Sequence, residues 1–299
     1  MNLGLAAFFL VYTFVFSWSF DRIFGLPASA KVVFTQPEPP YGFPFASHDV
    51  ACLAADELRR RKLLDSCRLH FMTAAAGPGS GQTASGAPDR IMAGYGIRHH
   101  GYYQLVAVDG LKRTAVFNVV AGRDRGKKFA IEFHMLHITP PQSPPDVIKN
   151  SLLANGAGYV AVHPHSLQHV RYPNVFALGD ACSAPNPKTI SAIYRQVPVA
   201  AANVIACLNG TAPAAAYDGY SLAAMTTARG KAVFVHTVYG GRPAPAFTWQ
   251  KDAESRLNWW VMRRIMPLFY WHYLLKGYAW FPTVRKRTGQ APGKYPVAS

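Results

Sequence analysis

The feature that most constrains this chain is residues 171–189, RYPNVFALGDACSAPNPKT. The apolar run at 175–178 is short and ends in a turn, the pattern of a fully buried parallel strand. Gly179 and Asp180 follow where such a strand delivers its carboxyl end to a ligand crevice. Glycine lets a ligand approach the backbone closely, and a carboxylate accepts hydrogen bonds from sugar-type hydroxyls. Beyond Pro185 and Pro187, Lys188 and Thr189 lead into the Ala/Ile/Val-rich residues 190–208. That segment is predicted as a helix whose positive N-terminal end faces the same crevice. A Gly-Asp pair taken alone also reads as an ordinary turn, so the longer string has to carry the inference.

Charge narrows the partners. The chain of 299 residues carries a net charge of +16, with half its residues hydrophobic, so its neighbours are expected to be anionic surfaces. No zinc-finger spacing and no aromatic-basic repeat of an RNA-binding module occurs, which points away from nucleic acid and toward a membrane surface. The four cysteines, Cys52, Cys67, Cys182 and Cys207, form no C-x-x-C pair and no metal spacing. They read as reduced and structural, and no metal site is expected. His134 and His137 lack a third ligand at a recognised spacing, and His163, His165 and His169 read as exposed loop histidines.

Residues 3–20 form an uncharged apolar run followed by Ala28-Ser29-Ala30. Three readings of 1–28 stay open: a signal peptide, a single span of the bilayer, or a start joined onto a truncated gene. Residues 32–35 read as a strand, and 49–64 as a helix ending in the basic run Arg59 to Lys62. Gly77, Gly79 and Gly81 surround Pro78 with no apolar helix directly after them, so they read as a loop and not as a phosphate cradle. Residues 105–108, 114–120 and 129–133 read as strands, with a turn at Asp109-Gly110. Thr139 opens a loop stiffened by Pro140, Pro141, Pro144 and Pro145.

Residues 257–281 hold four of the six tryptophans, flanked by Arg256, Arg263, Arg264, Lys276 and the basic run Arg285 to Arg287. Pro267 is expected to divide this stretch into two pieces, each shorter than a bilayer span. Aromatic belts with basic flanks suit a helix lying in the plane of an anionic membrane surface, here over 256–287, or a helix pair packed on the core.

The string at 172–189, together with HMLHITPPQSPPDVIKNS at 134–151, resembles the sulfide:quinone oxidoreductases of the mitochondrial and related bacterial type. These are flavoproteins with two dinucleotide-binding domains, and the resemblance runs from about residue 32 to about residue 289. It implies an α/β fold: a second Rossmann-like domain at 29–150, the remainder of a flavin domain at 151–245, and interfacial helices at 246–299. It also implies FAD, with Asp180 along the ribityl chain beside Gly179, and with Lys188, Thr189, Thr139 and Pro140 near the isoalloxazine. The implied reaction oxidises sulfide to sulfane sulfur, to be taken up by an acceptor, and passes the electrons through FAD to a quinone. The implied location is the mitochondrial inner membrane, peripheral or monotopic, with another membrane as the alternative if residues 1–28 are an anchor.

The sequence departs from the family pattern in two respects. It contains no strand followed by G-x-G-x-x-G, the unit that holds the flavin pyrophosphate. The positions of the two redox cysteines carry Phe43 and Ala223, and neither side chain can supply a thiolate. Cys182, next to the Gly179-Asp180 pair, is then the candidate lone thiol. Three functions stay in view: the sulfide reaction, a quinone reductase with another donor, and a non-catalytic membrane-associated protein.

Overall fold

The computed structural model describes residues 27, 29–39, 44–76, 86–244, 253–276 and 285–286. The readings placed on residues 1–26, on Phe43 and on the Gly77 to Gly81 loop fall outside the described residues.

A parallel sheet organises the first half. Strands β1 (Ala30–Gln36), β2 (Cys67–Thr73), β3 (Arg98–Gly101) and β7 (Met135–His137) lie in the order β3-β2-β1-β7. β1 carries Val32, Val33 and Phe34 with no exposed surface, as a strand covered on both faces should. Helix α1 (Ala46–Arg60) connects β1 to β2, and helix α2 (Ala87–Gly94) connects β2 to β3. Between β3 and β7 the chain builds an antiparallel sheet of β4 (Tyr103–Asp109), β5 (Thr114–Val119) and β6 (Lys128–Glu132). The strands expected at 32–35, 105–108, 114–120 and 129–133 are all present.

The two faces of the parallel sheet pack differently. Val33 and Met72 face the antiparallel sheet, where they meet Ala115, Phe117 and Ile131. Val32, Phe34, Leu69 and Phe71 face α1 and α2. The same core takes in Ala223, Met225, Val233 and Val235 from a distant hairpin, β9 (Ser221–Ala228) with β10 (Lys231–Thr237). Two carboxylates of α1 fasten that hairpin. Asp49 accepts from the Thr226 N–H at 2.8 Å and Asp56 from the Arg229 N–H at 3.0 Å. Their seven-residue spacing puts both on one helix face, so α1 satisfies donors along an edge that would otherwise be orphaned. Cys52, between them, is fully buried core, as its helix position predicted.

The second half is less regular. Short helix α3 (Asp146–Lys149) is followed by isolated bridges such as Val160 with Cys182 and Gln168 with Phe176. Helix α4 (Ile190–Leu208) has the bounds expected and is capped by Thr189, whose hydroxyl accepts from the Ala192 N–H. The two-residue strand β8 (Ala215–Ala216) pairs with β11 (Arg285–Lys286).

Toward the C-terminus, α5 (Arg256–Trp260), a π-helical turn (Val261–Ile265) and α6 (Met266–His272) follow without interruption. Pro267 therefore does not split the helix, contrary to expectation. The wider turn just before it absorbs the ring and the missing N–H.

Four histidines sit in or at the parallel sheet. Burial pushes His70 and His99 down to about 4, and holds His100 and His137 below the ordinary histidine value. Below about pH 6.5 the unfolded chain holds more of these protons than the fold does, so acid favours unfolding. Asp49 acts in the opposite sense, because burial pushes its carboxyl up to about 8. At pH 5 the unfolded chain holds two extra protons from His70 and His99 alone, against one fewer from Asp49. The net slope is about 1.4 kcal/mol lost per pH unit for each surplus proton. Urea denaturation from pH 7 to pH 5 is expected to show falling stability, and a flat or rising profile would contradict this account.

Candidate functional site

The site builds from the Gly179–Ala181 turn, a single 3-10 turn. The strand expected at 175–178 does not form. These residues are half-buried, and only Phe176 makes a bridge, antiparallel to Gln168. A strand exists by pairing, and among the described residues no parallel partner lies beside 175–178. The apolar run thus follows the expected path without the expected ladder.

The turn itself is held firmly. Gly179 has φ +65°, a left-handed conformation, and a Cβ there would press within 3.1 Å of Ile193. Its N–H donates to Gln196 Oε1 at 2.8 Å, and Gln196 is wholly buried in α4. The Cys182 thiol donates back to the Gly179 carbonyl at 3.3 Å. Gln196 was not singled out from the sequence. The signal was available: an amide on the buried face of an otherwise apolar helix needs a polar partner.

Asp180 is exposed on this turn. Its carboxylate accepts no hydrogen bond and makes no ion pair among the described residues. It still acts on its neighbours. Tyr159 is raised above the ordinary phenol value by burial and then by Asp180, and the Lys188 ammonium lies 5.9 Å from the Tyr159 ring centre. The charge of Asp180 also acts on Lys188. The expectation put Asp180 at the mouth of a buried strand, whereas the carboxylate stands on an exposed turn.

Lys188 does not project outward. It is 6% exposed, and its ammonium donates to the Cys182 and Ala184 carbonyls at 2.7 and 2.8 Å. Burial pushes it below the ordinary lysine value, while Cys182 and Asp180 pull it back up. Thr189 caps α4 and its hydroxyl also meets Ser191 Oγ at 2.8 Å and Ser221 Oγ at 2.9 Å, tying the helix to β9.

Thr139 sits elsewhere, at the carboxyl end of the parallel sheet. Its hydroxyl meets Ser47 Oγ at 2.7 Å and its N–H donates to Thr35 Oγ1 at 3.2 Å, while Pro140 is exposed. Among the described residues no hydrogen bond joins Thr139 or Pro140 to 179–189.

The thiols are inward. Cys182 has no exposed surface. Ala223 is 9% exposed on β9, in the core shared with α1. Of the loop histidines, only His163 is exposed. His169 is buried, its Nδ1 accepting from the Arg171 and Tyr172 N–H groups, and His165 contacts the Tyr217 carbonyl at 2.9 Å. Both serve backbone groups of irregular chain that lacks a ladder.

On the C-terminal helix, Leu257, Trp260, Leu268, Trp271 and Leu275 are about half exposed or more, beside Arg256, Arg263, Arg264 and Lys276. Tyr194 of α4 meets Phe269 of α6 edge-on at 6.4 Å. The exposed side of α4, with Ile190, Val197 and Ile205, thus adjoins the aromatic helix.

No family model matches the chain. It is 31% identical over 264 residues to the mitochondrial sulfide:quinone oxidoreductase of Dictyostelium discoideum, covering 88% of this chain and 57% of that protein. It is 34% identical over 178 residues to the mouse protein of the same name, covering 59% of this chain and 39% of the relative. The Schizosaccharomyces pombe counterpart is 28% identical over 278 residues, covering 90% of this chain and 59% of the relative. The chain thus spans less than two thirds of the length of these relatives.

Among the solved structures similar in fold are the following two. One is a chain in the cryo-EM structure of the Tetrahymena thermophila mitochondrial ATP synthase, at TM-score 0.66 and 22% identity, covering 85% of this chain and 60% of that one. The other is the sulfide:quinone oxidoreductase of Aquifex aeolicus, at TM-score 0.62 and 15% identity, covering 86% and 61%. The parallel sheet with its covering layers is of the Rossmann type, as expected. By sequence over most of its length, and by fold, the chain is similar to the sulfide:quinone oxidoreductases.

Proposed function

We propose that this chain is a sulfide:quinone oxidoreductase-like flavoprotein that works at a mitochondrial membrane surface. The observation that carries the reading is the Asp180 carboxylate, exposed and without a hydrogen-bond partner among the described residues, on a turn that Gln196 and Gly179 hold beside α4. Such a group suits the hydroxyls of a flavin's ribityl chain, and the residues present fit that end of FAD. The pyrophosphate has no Gly-rich cradle in the sequence. Bound FAD would supply two-electron transfer between donor and quinone.

The chain's own residues take supporting roles in this reading. Gly179 lets the turn pack closely on Ile193 of α4, and Thr189 and Ser221 fix the start of α4 against β9. Lys188 neutralises the carbonyls of the 182–184 loop from inside. The exposed Trp260, Leu268 and Trp271 with their basic neighbours seat the protein on anionic lipid, where each lysine or arginine near the surface contributes about 1 kcal/mol. A lipid-soluble quinone would arrive by that side.

One observation favours a second reading for the sulfur half of the reaction. Ala223 is packed in an apolar core and carries no nucleophile. A chain that keeps the flavin and quinone side could take electrons from another donor, or none, as a non-catalytic subunit. The likeness to a chain of an ATP synthase assembly is compatible with the last of these.

The test is a titration with FAD followed by flavin fluorescence. Saturable but weak binding is expected, and Asp180→Ala should weaken it by about 10- to 100-fold, the worth of hydrogen bonds to a charged acceptor. No saturable binding, or binding indifferent to the substitution, would sink the flavin assignment. A stoichiometric flavin retained through purification would refute the expected weakness.

A further inference from the structure

The parallel sheet carries a second feature, on the face away from α1 and near the amino ends of the strands. In a parallel pair, directly opposed residues project to the same face. β1 and β2 place Lys31 opposite Arg68, and β2 and β3 place His70 opposite Arg98. His70 is two residues along β2 from Arg68, so Lys31, Arg68, His70 and Arg98 share one face. Val33 and Met72 on that face form the core with the antiparallel sheet, which confirms the side. His100 completes the group, its Nε2 lying 3.0 Å from His70 Nδ1 with the rings stacked at 5.2 Å.

The cluster is cationic and unmatched. Arg68 and Arg98 are exposed and Lys31 half-exposed. Among the described residues none of the three side chains makes an ion pair or a hydrogen bond, whereas other basic residues, such as Arg59 to Arg61, Lys127 and Lys231, do pair with acids. The charged groups that act on the His70 ring are His100, Arg98, Lys31 and Arg68, all basic. His70 itself is 7% exposed, and its Nε2 is buried with no partner. In the tautomer where His100 donates to Nδ1, the Nε2 of His70 carries a proton with no acceptor in the fold. Three unpaired cations on one sheet face, beside an imidazole nitrogen without a partner, suit an anion with several acceptor oxygens.

We infer that Lys31, Arg68, Arg98 and His70 form a binding site for a phosphate-type oxyanion, separate from the Asp180 turn. Two guanidinium groups give planar forks suited to phosphate oxygens, and Lys31 adds a point charge. The oxyanion could come free from solution or on a lipid headgroup, since the chemistry recognised is the same.

The experiment uses the whole chain and inorganic pyrophosphate, titrated calorimetrically at fixed ionic strength against chloride. One saturable site is expected. Arg68→Ser and Arg98→Ser should each weaken it tenfold or more, and both residues are exposed, so the fold survives their loss. Arg125→Ser, at the β5–β6 turn, removes the same charge elsewhere and should change affinity less than twofold. An equal loss in Arg125→Ser, or no binding beyond that of chloride, overturns the site. Sedimentation with phosphatidylcholine vesicles, with and without phosphatidate, separates the sources. Arg68-dependent binding to phosphatidate vesicles that pyrophosphate cannot displace identifies a lipid headgroup, and displacement by pyrophosphate identifies a free oxyanion.

Discussion

Gly219→Ala is expected to unfold the second half of the chain, at a cost of several kcal/mol, while a neighbouring Ala216→Gly costs about 1 kcal/mol or less. Gly219 has φ +84°, and an added Cβ would overlap the Tyr239 ring and its backbone nitrogen. Tyr239 cannot give way. It is 5% exposed, its hydroxyl donates to the Pro164 carbonyl and its N–H to the Asp218 carbonyl at 3.2 Å. Its ring is also wedged edge-on against Tyr217 at 5.5 Å and His165 at 5.4 Å. The substitution combines a forbidden backbone region with a backbone clash, so neither rotamer change nor side-chain shift relieves it. Urea denaturation followed by tyrosine fluorescence measures the loss. A midpoint unchanged within error would show that the 217–220 turn is more pliable than its packing implies.

That position also shows what a sequence reading can and cannot reach. Nothing in the run Tyr217-Asp218-Gly219-Tyr220 announces that Tyr239, twenty residues later, fills the space a Cβ would take. Such constraints are set by tertiary packing and leave no local trace. The same division holds across the fold. α4 was legible to the residue because a cap, an apolar stripe and a closing Asn-Gly coincide, and all are local. β1 and β5 were legible from β-branched runs. The helix α2 was not, because Ala87–Gly94 is short and opens after a glycine-rich stretch that masks its start.

At the candidate site the legible part was chemical type and not orientation. Gly179, Asp180 and Lys188 do gather in one place, but Lys188 turns inward because buried carbonyls at Cys182 and Ala184 need donors. Loop histidines read as exposed because histidine in irregular chain usually is. His169 is instead buried, since irregular backbone at 171–172 has N–H groups that no ladder satisfies. The run at 175–178 shows the reverse error: apolar composition specifies burial and extension, whereas a strand also needs neighbours.

Sulfide-driven quinone reduction by the flavin-loaded chain is expected to fall at least a thousandfold below that of the Dictyostelium discoideum sulfide:quinone oxidoreductase assayed beside it. The attack on sulfur requires a thiolate, and activity depends on its accessibility and on its proton being easily lost. Burial pushes the Cys52 thiol far above the ordinary range, and the Cys67 thiol is raised for the same reason. Cys182 is wholly buried and spends its proton on the Gly179 carbonyl. Cys207 is half-buried at the far end of α4, near the Pro173 carbonyl. Three of the four are thus buried or raised by burial, and Cys207 lies a helix length from the Asp180 turn, so none is placed to open the reaction at that turn. NADH offered in parallel reports whether the flavin and quinone side works without sulfur chemistry. If the chain instead oxidises sulfide at a rate near that of the relative, and Cys182→Ala abolishes it, then the 179–182 turn opens during turnover and Cys182 is the nucleophile after all.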